Sequence, residues 1–143
     1  MNCLKRPGVL GAVVFLAAAP LCSWARAGGE TKPYKIENGR VDANTLHGYA
    51  LFTKFCQTCH GPGGVGLTYP YMPPVIEMLK KITEQQFKQT VINGRQCGEP
   101  MSMPAFGEEP EVMPHLNDIY AYLRARSDGA IGPGRPKRIG ESE

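Results

Sequence analysis

CQTCH, residues 56–60, sets two thiols three positions apart with an imidazole directly after the second. Three chemistries use such a set, and the flanking sequence decides between them. A structural zinc centre needs four ligands, and Cys59 and His60, adjacent in the chain, are awkward partners for one tetrahedron. A thioredoxin-like redox pair needs a strand–helix–strand setting, which the flanking residues do not offer. Upstream, Asp42 is placed to cap a helix running to about Phe55, with Leu46, Tyr49, Phe52 and Phe55 at helical spacing. Downstream, GPGGVGLTYPYMPP (61–74) breaks both helix and strand periodicity again and again, so it must be an irregular loop held by something else.

The third chemistry, covalent haem attachment, fits the surroundings. Cys56 and Cys59 are spaced to form thioethers with the two vinyl groups on one porphyrin edge, while His60 presents its imidazole to the iron from one face. The first residues also read as an export leader, with Lys5 and Arg6, an apolar run over 9–21, and Ala25-Arg26-Ala27 before Gly28. This predicts a signal peptide at 1–27 and a periplasmic protein. The apolar run falls short of the roughly 20 residues a span requires, so no stable membrane insertion is expected after cleavage. Cleavage would remove Lys5, Arg6 and Arg26, taking the formal charge from +3 to zero and with it any electrostatic case for nucleic acid. It would also remove Cys3 and Cys22, leaving Cys56, Cys59 and Cys97, an odd number unsuited to a disulfide framework.

Further helices are legible after the loop. A short one is expected at 75–81. Thr83 with Gln86 makes a capping box for a helix over 84–93, with Phe87, Val91 and Ile92 on its apolar face and Gly94 as its stop. A final helix is expected over about 113–125, with Leu116, Ile119, Tyr120 and Leu123 in one stripe and Arg124 and Arg126 complementing its C-terminal dipole. No strand and no internal repeat is evident. The expected organisation is a loose N-terminal arm (28–41), one domain (42–127) and a flexible basic tail (128–143). Short helices joined by long Gly/Pro loops are a poor recipe for an apolar core alone. The expected fold is therefore all-α, three to five short helices wrapped around one covalently bound haem c.

CGEPMSMPAFG (97–107) puts three sulfur side chains into seven residues of a loop that buries little. A thioether on the iron face opposite His60 would raise the reduction potential and suit electron transfer. Met103 is the preferred axial ligand, because Pro104 stiffens its backbone and helices flank the loop. Met101, Met113 and Met72 are sulfur rivals, and His47 and His115 imidazole ones. A carbonyl partner for the second ring nitrogen of His60 is expected from the Pro73-Pro74 segment, with Pro73 favoured. Cys97 reads as an incidental loop thiol.

These residues resemble a class I c-type cytochrome over most of the chain after residue 27. Gly48 and Phe52 stand eight and four residues before Cys56, like the glycine and aromatic of that family's N-terminal helix. Tyr122 and Leu123 are similar to the aromatic-aliphatic pair of its C-terminal helix. The resemblance implies that the two helices cross near the glycine, with the aromatic packed into the contact. A narrower resemblance, carried by GLTYPYMPP, NGR (93–95), MPAFGEEPEVMPHLNDIYAYLRAR (103–126) and GAIGPGRPKR (129–138), is to the cytochrome c-L group that accepts electrons from PQQ-dependent methanol and ethanol dehydrogenases. It implies a monomeric electron carrier rather than an enzyme, with such a dehydrogenase as donor and a downstream cytochrome or oxidase as acceptor. A general respiratory shuttle between a quinol-oxidising complex and an oxidase would use the same haem. Arg135, Lys137 and Arg138 could steer docking onto an acidic partner.

Overall fold

The computed structural model describes residues 31–67, 72–96 and 102–142. Its frame is a crossed pair of helices, α1 (Ala43–Phe55) and α5 (Leu116–Ser127). Asp42 starts α1 with extended backbone and a side chain that accepts from the Thr45 amide (3.0 Å), the Thr45 hydroxyl (2.7 Å) and the Lys35 amide (2.8 Å). The helices meet at Gly48, where a Cβ would overlap the Asp118 carbonyl and crowd the Ile119 amide. Only hydrogen fits there, so the crossing is written into one residue. Phe52 (1% exposed) and Tyr122 (fully buried) fill the contact at 5.7 Å between ring centroids, and Tyr49 meets Tyr122 edge-on at 5.4 Å. This is the packing that the family resemblance implied.

Around the crossing lies a continuous apolar cluster that includes Val41, Leu51, Leu79, Phe87, Val91, Val112, Ile119 and Leu123. The protein thus has a core of its own, more than the loop-rich map suggested. The helix α4 (Glu84–Asn93) begins with the full capping box between Thr83 and Gln86 and buries Phe87 and Val91. The short helix α3 (Val75–Met78) stops three residues earlier than expected. The final helix also differs from its expected span: residues Met113–His115 form a 3-10 turn with Pro114 inside it, and α5 proper extends to Ser127. Proline lacks the N–H that an α-helical interior would use, so the tighter turn absorbs it.

Two corrections concern the ends. Residues 36–41, expected as a loose arm without strands, form a minimal antiparallel hairpin of β1 (Ile36–Glu37) and β2 (Arg40–Val41) around Asn38-Gly39. Both turn residues have positive φ, 49° and 73°, the backbone that a two-residue hairpin requires. The tail, expected to be free, lies along β2: Val41 N–H donates to the Lys137 carbonyl (2.9 Å) and Ile139 N–H to the Val41 carbonyl (2.8 Å). Glu141 ties the strip down through Arg135, the Arg138 amide and a contact from Arg40 to its carbonyl. Upstream, Tyr34 and Lys32 both reach Asp128 at the end of α5. Among the described residues no helix is long and apolar enough to cross a membrane.

Candidate functional site

CQTCH is a single helical turn set against the end of α1. Cys56 closes α1 by donating to the Phe52 carbonyl and then accepts from Cys59 (3.2 Å) and His60 (2.9 Å), so it caps α2 (Gln57–His60), whose single turn carries Cys59 and the imidazole. Cys56 packs half-buried against the core, Cys59 is exposed, and the two are not joined as a disulfide. Burial, with the neighbouring Cys59 adding to it, pushes the Cys56 thiol up to about 11. A thiol held protonated in this way is unsuited to the attacking role in a redox pair. Nor do the three side chains make a metal centre. Among the described residues the ligand atoms of Cys56, Cys59 and His60 do not converge on a shared point.

His60 is half-buried, and burial holds its imidazole below the usual histidine range. Its Nδ1 is buried without a hydrogen-bond partner. A neutral ring with a free nitrogen beside two unpaired sulfurs, one inside and one at the surface, fits covalent attachment of haem and ligation of its iron. The expected bond from His60 to the Pro73 carbonyl is not formed. Pro73 does lie close by through the backbone: Gly66 N–H donates to the His60 carbonyl (2.9 Å), and Gly66, at φ 84°, is so tight against the Met72 carbonyl and Pro73 that no side chain could fit. A ladder of two bonds between Leu67 and Met72 closes this loop (3.0 and 2.9 Å). The segment is therefore docked at the histidine by its backbone and not by a bond to the ring.

Met103 sits in a second clasp. Its amide and carbonyl pair with those of Arg95 (2.9 and 3.0 Å), closing the sulfur loop just after α4 ends at Gly94, and Phe106 and Gly107 donate to Val91 and Ile92 behind it. Among the described methionines, Met103 is the one that packs against the core cluster. Met72 is placed in the loop beside Gly66, and Met113 in the 3-10 turn before α5. His47 and His115 both face Asp118 at the α1–α5 crossing, with their rings edge-on to each other at 4.5 Å between centroids. Met101 and Cys97 lie outside the described residues.

Arg126 is a supporting residue that the sequence reading assigned to the helix dipole. It is buried instead, donating to the carbonyls of Gly63 (3.4 Å) and Ile131 (3.0 Å), and so joins the loop after His60 to the start of the tail. Periodicity held the signal, since Arg126 follows Leu123 by three residues on the buried stripe of α5. Arg124 does lie at the helix end, paired with Asp128 and donating to the Leu79 carbonyl.

The family described as cytochrome c oxidase, cbb3-type, subunit III, matches residues 43–123. Cytochrome c-553I of Paracoccus denitrificans is 38% identical over 109 residues, which is 73% of this chain and 47% of that protein. Cytochrome c-555 of Methylococcus capsulatus is 34% identical over 95 residues, 66% of this chain and 72% of that one. The chain thus spans about half the length of the first relative and most of the second. Among solved structures, the c-type cytochrome XoxG from Methylobacterium extorquens AM1 aligns with a TM-score of 0.68 at 39% identity, over 77% of this chain and 67% of that one.

Proposed function

Because the chain belongs to the class I c-type cytochromes and carries one covalent haem c, we propose that it is a periplasmic one-electron carrier that takes electrons from a PQQ-dependent methanol or ethanol dehydrogenase and passes them toward a cytochrome or oxidase. The coarser statement stands on the family alone: the protein is an electron carrier and not an enzyme. In this reading Cys56 and Cys59 would hold the haem, and His60 and Met103 would ligate its iron. When bound, the haem supplies reversible one-electron chemistry at a potential raised by a thioether ligand.

The observation that carries the proposal is the asymmetry of the attachment turn. Cys56 packs half-buried against the core while Cys59 stands at the surface, and Val65, 47% exposed, is the exposed large apolar side chain among the described residues, six positions further on. The turn thus offers a partner an apolar approach to the redox edge. A quinone cofactor releases two electrons per alcohol, so one carrier must dock and leave twice for each turnover. Such encounters favour small interfaces, below about 1,200 Å². The export-type leader supports the compartment, and the resemblance of GLTYPYMPP, NGR, MPAFGEEPEVMPHLNDIYAYLRAR and GAIGPGRPKR to the cytochrome c-L group supports the donor.

The family match to an oxidase subunit favours a second reading, a shuttle between a quinol-oxidising complex and an oxidase. Stopped-flow reduction of the oxidised holoprotein by a PQQ-dependent alcohol dehydrogenase from the same organism, with methanol and then ethanol, separates the two. Fast, saturable reduction is expected. No reduction, with the haem still responsive to a chemical reductant, would exclude the dehydrogenase as donor and leave the shuttle.

A further inference from the structure

The α1–α5 crossing carries a cluster that electron transfer does not use. His47, from the second turn of α1, and His115, from the 3-10 turn before α5, both aim Nδ1 at one oxygen of Asp118, at 2.9 Å and 3.4 Å. One donor nitrogen from each ring and a carboxylate oxygen lie within 4.8 Å of one another. We infer that His47, His115 and Asp118 form a surface site for a borderline-soft divalent cation of the zinc class, bound by two imidazoles and one carboxylate.

The geometry suits such an ion. Bonds of about 2.0–2.1 Å in a tetrahedron place neighbouring ligand atoms about 3.3 Å apart. The two measured edges bracket that value, and the third closes by rotation of rings that are 44% and 45% exposed. Asp118, only 16% exposed, is the fixed member, because its backbone is pinned against Gly48 at the crossing. Its single negative charge offsets the positive end of α5, where His115 and Asp118 sit. Two imidazoles favour zinc, copper or nickel over calcium and magnesium, which prefer all-oxygen shells. Three protein ligands on an open face leave the fourth position to water, as in zinc sites that keep an exchangeable ligand. Because the ligands come from both partners of the crossing, the ion would cross-link α1 to α5 and stabilise the pair by binding the folded state alone.

The test is calorimetric titration of Zn²⁺ into chelator-washed holoprotein, alongside His47→Ala and His115→Ala, with thermal unfolding followed at the haem band. Both rings are half-exposed, so neither variant removes core packing, and the visible spectrum reports that each still folds around its haem. The expected result is one saturable site in the micromolar range, a raised unfolding midpoint with zinc, and affinity reduced tenfold or more in each variant. Absence of saturable binding, or binding that is unchanged in both variants, would overturn the site.

Discussion

Individual side chains do most of the positioning at the residue scale. Asp42 shows how one group sets both stability and its pH dependence. Burial alone would raise its pKa, but bonds from the Thr45 hydroxyl and the Lys35 and Thr45 amides outweigh that and hold it below the usual carboxylate value of 3.8. A carboxylate depressed in the folded state contributes its stability above the unfolded pKa and loses it as pH falls through the folded one. Asp42→Ala should therefore cost about 1 kcal/mol at neutral pH, with a smaller difference from wild type in acid, once the pH falls through the depressed folded-state pKa. Urea denaturation of the holoprotein at neutral and at acid pH checks this, and an equal gap at both would contradict it. Gly48→Ala is a harder insult, because the obstacle is backbone of α5. It should destabilise by about 1–3 kcal/mol, and a thermal midpoint within a degree of wild type would show that the helices part freely.

At the scale of elements, what was legible in the sequence was local. The Asp42 cap, the Thr83–Gln86 capping box and the Gly94 stop each depend on residues within four positions, and the structure places each where the sequence does. The Asn38-Gly39 hairpin is equally local, but its strands are two residues long and show no alternation to read. The pairing of Val41 with the tail joins residues nearly a hundred positions apart, and composition could not announce it. The site divides in the same way. The CQTCH turn is local and its thiol-thiol-imidazole set was readable, whereas the environment of the His60 ring depends on how the 61–74 loop folds back, and the bond assigned to Pro73 is absent. Arg126 belongs to this non-local class, since its partners Gly63 and Ile131 come from two other segments. Arg126→Met should leave both carbonyls without a donor and cost about 1–3 kcal/mol. Faster amide exchange in both segments would confirm the joint role, and exchange altered in neither would refute it.

At the scale of the whole molecule, the proposal is a small core with a covalent haem near its surface and a basic tail that would steer partners toward it. Arg135 is paired with Glu141, so Lys137 and Arg138 are the tail cations without a side-chain partner among the described residues. Neutralising both with Lys137→Gln and Arg138→Gln preserves the backbone strip on Val41, which deleting the tail would not. The association rate with the donor should fall several-fold at low salt and converge with wild type at high salt. A rate indifferent to both substitution and salt would remove steering from the account. The central proposal is that His60 and Met103 would both ligate the haem iron and leave it no open position, as suits an electron carrier. The most direct test is exposure of the resting reduced holoprotein to carbon monoxide, with the oxidised spectrum recorded at its red edge for wild type, Met103→Ala and Met101→Ala. The account predicts no carbon monoxide adduct and a weak thioether band in wild type and Met101→Ala, with the band lost, the potential lowered and the adduct formed only in Met103→Ala. An adduct in the wild-type protein, or loss of the band on replacing Met101 but not Met103, would contradict it.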